Sequence, residues 1–244
     1  MPCSTGLLPL SINIITCEQD ANYLQDCINS LPKFCEVVIV KTVCSDDKKG
    51  VTFDGEIMLN DRHIKEFTWY YKLFDFSQAR NIALRHSTRD WVMWIDTDDR
   101  LILNDYEYYK ELDNVPSGVG GFICGLVGFT KPYLDHEGGN GFAPQVRLFR
   151  RHDAIKWSGI VHEQILDSIL EQKFQVKQSP ILIQHIGYDV DVNSMHAKIK
   201  RNVQLLIRQC AVYPDYATRY YQQALANSIM ELHNLEDNKN GIST

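Results

Sequence analysis

The chain has 244 residues, 44% apolar and 23% charged, enough for one large domain or two small ones of ordinary soluble composition, which excludes a disordered polymer. A formal net charge of −6 argues against long-range capture of a polyanion such as duplex DNA, so an anionic ligand needs a local device, either a metal ion or a few placed cations. No window reaches the roughly 20 apolar residues of a membrane span, and Met1 to Pro9 lacks the basic start of a secretory signal, so the chain reads as cytoplasmic. Seven cysteines with no C-x-x-C pair point to reduced, buried thiols rather than a zinc ribbon or a disulfide framework.

Leu10 to Thr16 is a β-branched apolar run, and Glu18 and Asp20 after it mark the mouth of a helix over 21–31 that stops at Pro32. Glu36 to Lys41 is apolar without alternation, as expected of a strand covered on both sides, so the first forty residues read as a βαβ unit. Ile57 to Leu59 and Phe67 to Tyr71 are weaker strands. Ser77 is expected to cap a helix to about His86, with Ala79, Ile82 and Ala83 on its buried face. Trp91 to Ile95 carries the strongest strand signal. Beyond it, Gly121 to Phe129, Gln145 to Arg150 and Ile155 to Ile160 are strand-like and separated by glycine and proline, which predicts a mixed or antiparallel half of the sheet. A short helix over 162–171 and a last strand over 181–185 come next. The remainder is helical, Val192 to Val212 and Asp215 to Leu232 around Pro214, a pair that resembles one tetratricopeptide-type hairpin, and the tail from Asn238 is expected to fray.

The sharpest constellation is Trp94-Ile95-Asp96-Thr97-Asp98-Asp99 at the end of a buried strand. Three carboxylates in four residues repel one another unless a cation neutralises them. In an extended segment Asp96 and Asp98 point the same way, and hard oxygen ligands with open positions suit Mg²⁺ or Mn²⁺ bridging a diphosphate. The alternative is a solvated acidic turn in which Asp99 caps the next element. Neither G-x-G-x-x-G nor G-x-x-x-x-G-K-[ST] is present, so metal and side chains must hold any phosphates.

The ordered segments I-I-T-C-E (14–18), V-V-I-V-K-T-V-C-S-D-D (37–47), F-D-F-S-Q-A-R-N-I-A-L (74–84), D-W-V-M-W-I-D-T-D-D-R-L (90–101), R-L-F-R-R (147–151), W-S-G-I-V-H-E-Q (157–164) and H-I-G-Y (185–188) resemble family 2 glycosyltransferases of the GT-A fold. They are most similar to the branch with a helical, repeat-like C-terminal region that includes bacterial peptide S-glycosyltransferases. The resemblance implies an α/β GT-A domain over residues 1–190, a mixed sheet flanked by helices, followed by a helical hairpin over 191–244. It implies transfer of a sugar from a nucleotide-sugar donor, a UDP-sugar by expectation, with inversion and with Mn²⁺ or Mg²⁺. Asp98 then ligates the metal, with Asp96 nearer the donor's ribose or a metal-bound water and His185 completing the shell. Thr16 and Glu18 receive the nucleoside, Arg80 helps hold the diphosphate, Glu163 is the general base, and His162 contacts donor or acceptor. Each has a plainer alternative: a surface ion pair with Asp75 or Asp90 for Arg80, a first-turn glutamate for Glu163, a capping residue for His162, a structural histidine for His185, and core packing for Trp69, Trp157 and Tyr188.

One position departs from the family pattern. Lys41 stands where an aspartate reaches uracil, and a lysine cannot accept the imide proton, so either Asp46 or Glu18 substitutes, or the base differs, or donor binding is lost. The glycine-rich stretch from Lys131 to Ala143 is the expected seat of acceptor choice, with the acceptor (peptide, glycan or modified base) left open. A metal-dependent nucleotidyltransferase and a non-catalytic scaffold are the rival classes, and the C-terminal helices offer a surface for homo-oligomers.

Overall fold

The computed structural model describes residues 6–129, 141–186, 192–213 and 219–239. The stretch expected to choose the acceptor falls mostly on 130–140, Tyr188 on 187–191, and the end of the tail on 240–244, all outside the described residues.

One nine-stranded mixed sheet organises the chain. Strand β1 (Leu10–Thr16), helix α1 (Ala21–Ser30) and β2 (Glu36–Cys44) form the expected βαβ unit, β1 and β2 pairing in parallel from Ser11 with Glu36 to Thr16 with Lys41. A hairpin of β3 (Gly50–Leu59) and β4 (Arg62–Tyr71) continues the sheet beyond β2. Its turn residues, Asn60 and Asp61, both have positive φ, 48° and 63°, the arrangement of a two-residue turn between right-twisted strands. Both strands are longer than their apolar cores suggested, because β3 is an exposed edge whose polar positions still pair through the backbone.

Helix α2 (Phe76–His86) leads into β5 (Trp91–Asp96), which pairs in parallel with β1. Its cap is Asp75, whose carboxylate accepts from the Gln78 amide at 3.0 Å, while Ser77, the expected cap, donates its hydroxyl to Asp75 instead. A carboxylate one residue outside the helix reaches the free amides better than a hydroxyl already inside it. After β5 come β6 (Asp99–Leu101), the short helix α3 (Tyr106–Lys110), β7 (Val119–Phe129), β8 (Gly141–Arg150), α4 (Leu166–Glu171) and β9 (Gln175–His185). The strands stand in the order β3-β4-β2-β1-β5-β8-β7-β9-β6, the first half mostly parallel and the second mixed, as the glycine- and proline-punctuated pattern implied.

Alternation decides the two faces of the central strands. Val37 and Ile39 pack with Ile12, Ile14, α1's Ile28 and Leu31 just after that helix, whereas Val38 and Val40 pack with Ala79, Ile82 and Ala83 of α2. Two expectations fail in the second half. Residues 155–160 are not a strand: Ile155, Trp157 and Ile160 are buried, but Gly159 at φ 97° turns the chain, leaving only an isolated bridge between Ser158 and Gln164. The helix expected over 162–171 starts only at Leu166, because His162 sits at φ 53°, outside helical space.

Helices α5 (Val192–Val212) and α6 (Arg219–Lys239) form the hairpin. It does not stand free. Leu205, Leu206 and Tyr221 are buried against Ile160 and Val161, with Phe74 and Phe76 alongside, the Ile160 amide donates to buried Gln209, and Arg208 donates to the Phe74 carbonyl at 2.6 Å. No helix among the described residues is long and apolar enough to cross a membrane.

Candidate functional site

The carboxyl ends of β1, β2 and β5 open into a cleft of about 2320 Å³ whose far wall is α5. Open α/β sheets bind ligands at this end. The acidic run divides its work differently from a simple extended alternation. The chain leaves β5 at Asp96, turns through Thr97 and Asp98, and re-enters the sheet at Asp99. The extended alternation expected across Asp96 and Asp98 is thus replaced by a turn, though both line the cleft. Asp96 faces two guanidinium groups, Arg80 Nη2 at 3.0 Å and Arg147 Nη1 at 3.8 Å, which hold its carboxyl down at about 2 although burial works the other way. Asp99, fully buried, accepts from Arg147 Nη1 at 2.8 Å and from the Asp96 amide at 3.0 Å. It caps nothing.

The β6–β9 pairing places Asp99 opposite His185, and His185 Nδ1 meets the Asp99 carboxylate at 2.8 Å. The other ring nitrogen, Nε2, faces Asp98, whose Oδ2 lies 3.6 Å away. Asp98, Asp99 and His185 each bring a ligand atom within 4.8 Å of the others. Burial, together with Asp96 and Asp99, pushes the Asp98 carboxyl up to about 6 against the pull of His185 and Lys198, and the Asp99 bond with the nearby carboxylates raises His185 despite its burial. A half-buried carboxylate made costly by its neighbours, next to an oriented imidazole nitrogen, is a donor set that fits a divalent cation. Asp96, expected as a ligand, is committed to its two arginines, and Asp99 stands behind His185.

Arg80 is 5% exposed and lies over the Trp94 ring at 4.0 Å and the Trp157 ring at 5.2 Å. Its Nη2 binds Asp96 and its Nε binds Glu163 Oε1, so burial, which opposes the charge, is outweighed by two carboxylates. The partners of the plainer alternative, Asp75 and Asp90, are not the ones it pairs with. Arg147 also lies over the Trp94 ring, at 3.5 Å. Charges thus alternate along a line from Glu163 through Arg80, Asp96, Arg147 and Asp99 to His185 and Asp98. Glu163 sits in a tight loop closed by the Ser158 amide on the Gln164 carbonyl, 3.0 Å, and the reciprocal bond at 2.9 Å, not in the first turn of a helix. Beside it, His162 lines the cleft, its pKa lowered by burial against the pull of Glu163.

Thr16, Glu18 and Lys41 also line the cleft, with Lys41 Nζ on Glu66 at 2.7 Å. Asp46 is not brought there: it is exposed and pairs with Lys72 at 3.4 Å. Of the two residues considered as substitutes at the uracil position, only Glu18 faces the cleft. Arg147 and the α5 cations Lys198 and Arg201 were given no role by sequence reasoning, which took Asp99 only as a member of the acidic run or a cap. The one available signal was the R-L-F-R-R segment, whose first arginine is 2% exposed.

No family model matches the chain. It is similar to the SPbeta prophage-derived glycosyltransferase SunS of Bacillus subtilis, 25% identical over 197 residues, 80% of this chain and 44% of that protein. A TPR repeat-containing protein of Synechococcus elongatus is 29% identical over 151 residues, 59% of this chain and 35% of that one. The chain thus spans less than half the length of these curated relatives. Among solved structures, the mannosyltransferase PcManGT of Pyrobaculum calidifontis, in complex with GDP-Man and Mn²⁺, has a TM-score of 0.52 at 14% identity, covering 98% of this chain and 77% of that one. The sequence relative SunS and this structural neighbour are both glycosyltransferases, and the fold is the GT-A fold.

Proposed function

We propose that this chain transfers a sugar from a nucleotide-sugar donor to a nucleophilic acceptor, with inversion and with Mn²⁺ or Mg²⁺ held by Asp98 and His185. The observation that carries the reading is the pairing, in one cleft, of the Asp98–His185 donor set with an arginine-anchored carboxylate, Glu163. When bound, the ion supplies positive charge to the departing diphosphate. Glu163 takes the acceptor's proton: Arg80 engages Oε1 and leaves Oε2 for that work. Arg80, rather than reaching the diphosphate, keeps Glu163 and Asp96 placed. Thr16 and Glu18 at the end of β1 receive the nucleoside, and Lys41, held on Glu66, leaves the base open between uracil and others; the structural neighbour's donor is GDP-Man.

The test is incubation with a panel of UDP-, GDP- and CMP-sugars with Mn²⁺ or with EDTA, read by mass spectrometry. Metal-dependent release of the nucleotide, or a mass gain of one sugar on a peptide or glycan acceptor, supports the reading. A mass gain of a nucleotide indicates a nucleotidyltransferase instead, and inertness toward every donor, with no calorimetric binding, removes the enzymatic reading.

A further inference from the structure

A diphosphate remains anionic after one divalent ion has bound it, and the two guanidinium groups that bind Asp96 are spent on carboxylates: Arg80 on Glu163 and Asp96, Arg147 on Asp99 and Asp96. Further positive charge must come from elsewhere in the cleft. Helix α5 presents Asn193, Ala197, Lys198, Arg201 and Asn202 to it, a spacing that lays one stripe along the helix. Its adjoining stripe, Met195, Ile199, Leu206 and Gln209, is buried, so the helix is held with the cationic stripe in place. Lys198 and Arg201 line the same cleft as Asp98 and as Cys17 and Asp20 beyond the end of β1, and the Arg201 guanidinium lies 5.5 Å from the Phe76 ring.

We propose that Lys198 and Arg201 of α5 form the diphosphate-binding wall of the donor site, so that the site is incomplete without the C-terminal hairpin. The two cations mark out the path from Asp98 to the end of β1, the path a nucleoside diphosphate takes when its phosphates meet the cation on Asp98 and its base meets Thr16 and Glu18. The assignment rests on the donor reading above. It places phosphate recognition on an element outside all seven segments that carry the family resemblance.

The experiment is calorimetric titration of the full chain with UDP, GDP and CDP in the presence of Mn²⁺, with the matching nucleosides, and with Mn²⁺ alone. For the diphosphate that the wild type binds, the double variant Lys198→Met/Arg201→Met should bind at least about tenfold more weakly, while nucleoside and Mn²⁺ affinities stay within about twofold. Lys198→Arg/Arg201→Lys should restore most of the loss, and Lys200→Met, an exposed cation of the same helix that does not line the cleft, should change nothing. Unchanged diphosphate affinity in the double variant, an equal loss for the nucleoside, or an equal loss in Lys200→Met overturns the assignment. A wild type that binds no nucleoside diphosphate overturns the donor reading itself, which separates the two failures. Circular dichroism of each variant shows that the fold is kept.

Discussion

Asp98 carries a cost in the metal-free protein that its neighbours define. Its carboxyl titrates at about 6 in the fold, chiefly through burial and Asp96, whereas an unfolded aspartate titrates near pH ~4. The native state therefore holds the proton more tightly, so this group's contribution to stability is fully present below about pH 4, is lost as pH rises through about 6, and stays lost above. Asp98→Asn removes that titration. In EDTA at pH 7.5 the variant should gain up to about 2 kcal/mol over wild type, with no gain near pH 4, read by urea denaturation across the pH series. Mn²⁺ should then stabilise wild type and leave the variant unmoved. Equal stability of the two proteins at pH 7.5 would show that Asp98 ionises there without penalty. Arg80 behaves oppositely, because deleting it strands the largely buried Glu163 carboxylate and leaves half-buried Asp96 with Arg147 alone: Arg80→Met should cost about 3–5 kcal/mol, and Glu163→Gln, which leaves Arg80 on Asp96, distinctly less. A reversed order in denaturation would show that the two ion pairs do not depend on a shared Arg80. The acidic run itself was legible from spacing alone, since three carboxylates in four residues demand a cation. Which of them face it was not legible, because the turn at Thr97 and Asp98 replaces the extended alternation, and because Arg147 and His185 arrive from strands more than forty residues away.

Elements with a single dominant signal came through the sequence intact: β1 and α5 begin and end where their patterns do, because apolar period and flanking breakers agree. The failures occur where burial and backbone conformation part company. Residues 155–160 alternate like a strand, and their apolar side chains are indeed buried, but positive φ at Gly159 and His162 folds them into the loop that presents Glu163. Gly159 also lies where an added Cβ would meet the Tyr221 hydroxyl at 2.9 Å. Gly159→Ala should thus strain the backbone and push α6 away from the loop, costing about 1–3 kcal/mol. At α2, the Asp75 cap predicts a loss of about 1 kcal/mol for Asp75→Ala and a smaller one for Ser77→Ala in thermal or urea unfolding, the reverse of what a Ser77 cap would give.

The molecule as a whole depends on how α5 and α6 join the sheet. A boundary near residue 190 suggests two units, and a hairpin that merely trails a catalytic domain would melt by itself. The interface argues for one cooperative body: Leu206 is fully buried with Ile160, Val161 and Tyr221, and the Gln209 side chain satisfies the Ile160 amide, so separation exposes apolar surface and a polar group together. Leu206→Ala should lower stability by about 2–5 kcal/mol. The informative measurement compares far-ultraviolet circular dichroism, which tracks helix, with tryptophan emission, which tracks Trp69, Trp91, Trp94 and Trp157, all outside the hairpin. If hairpin and sheet fold as one, both probes report a single transition in wild type and move together in the variant. Two separated transitions, with only the helical one shifted, would make the hairpin an independent domain, and the cations of α5 would then be held at the cleft only as firmly as that domain docks. The same pair of curves therefore tests the rigidity on which a binding wall borne by α5 relies.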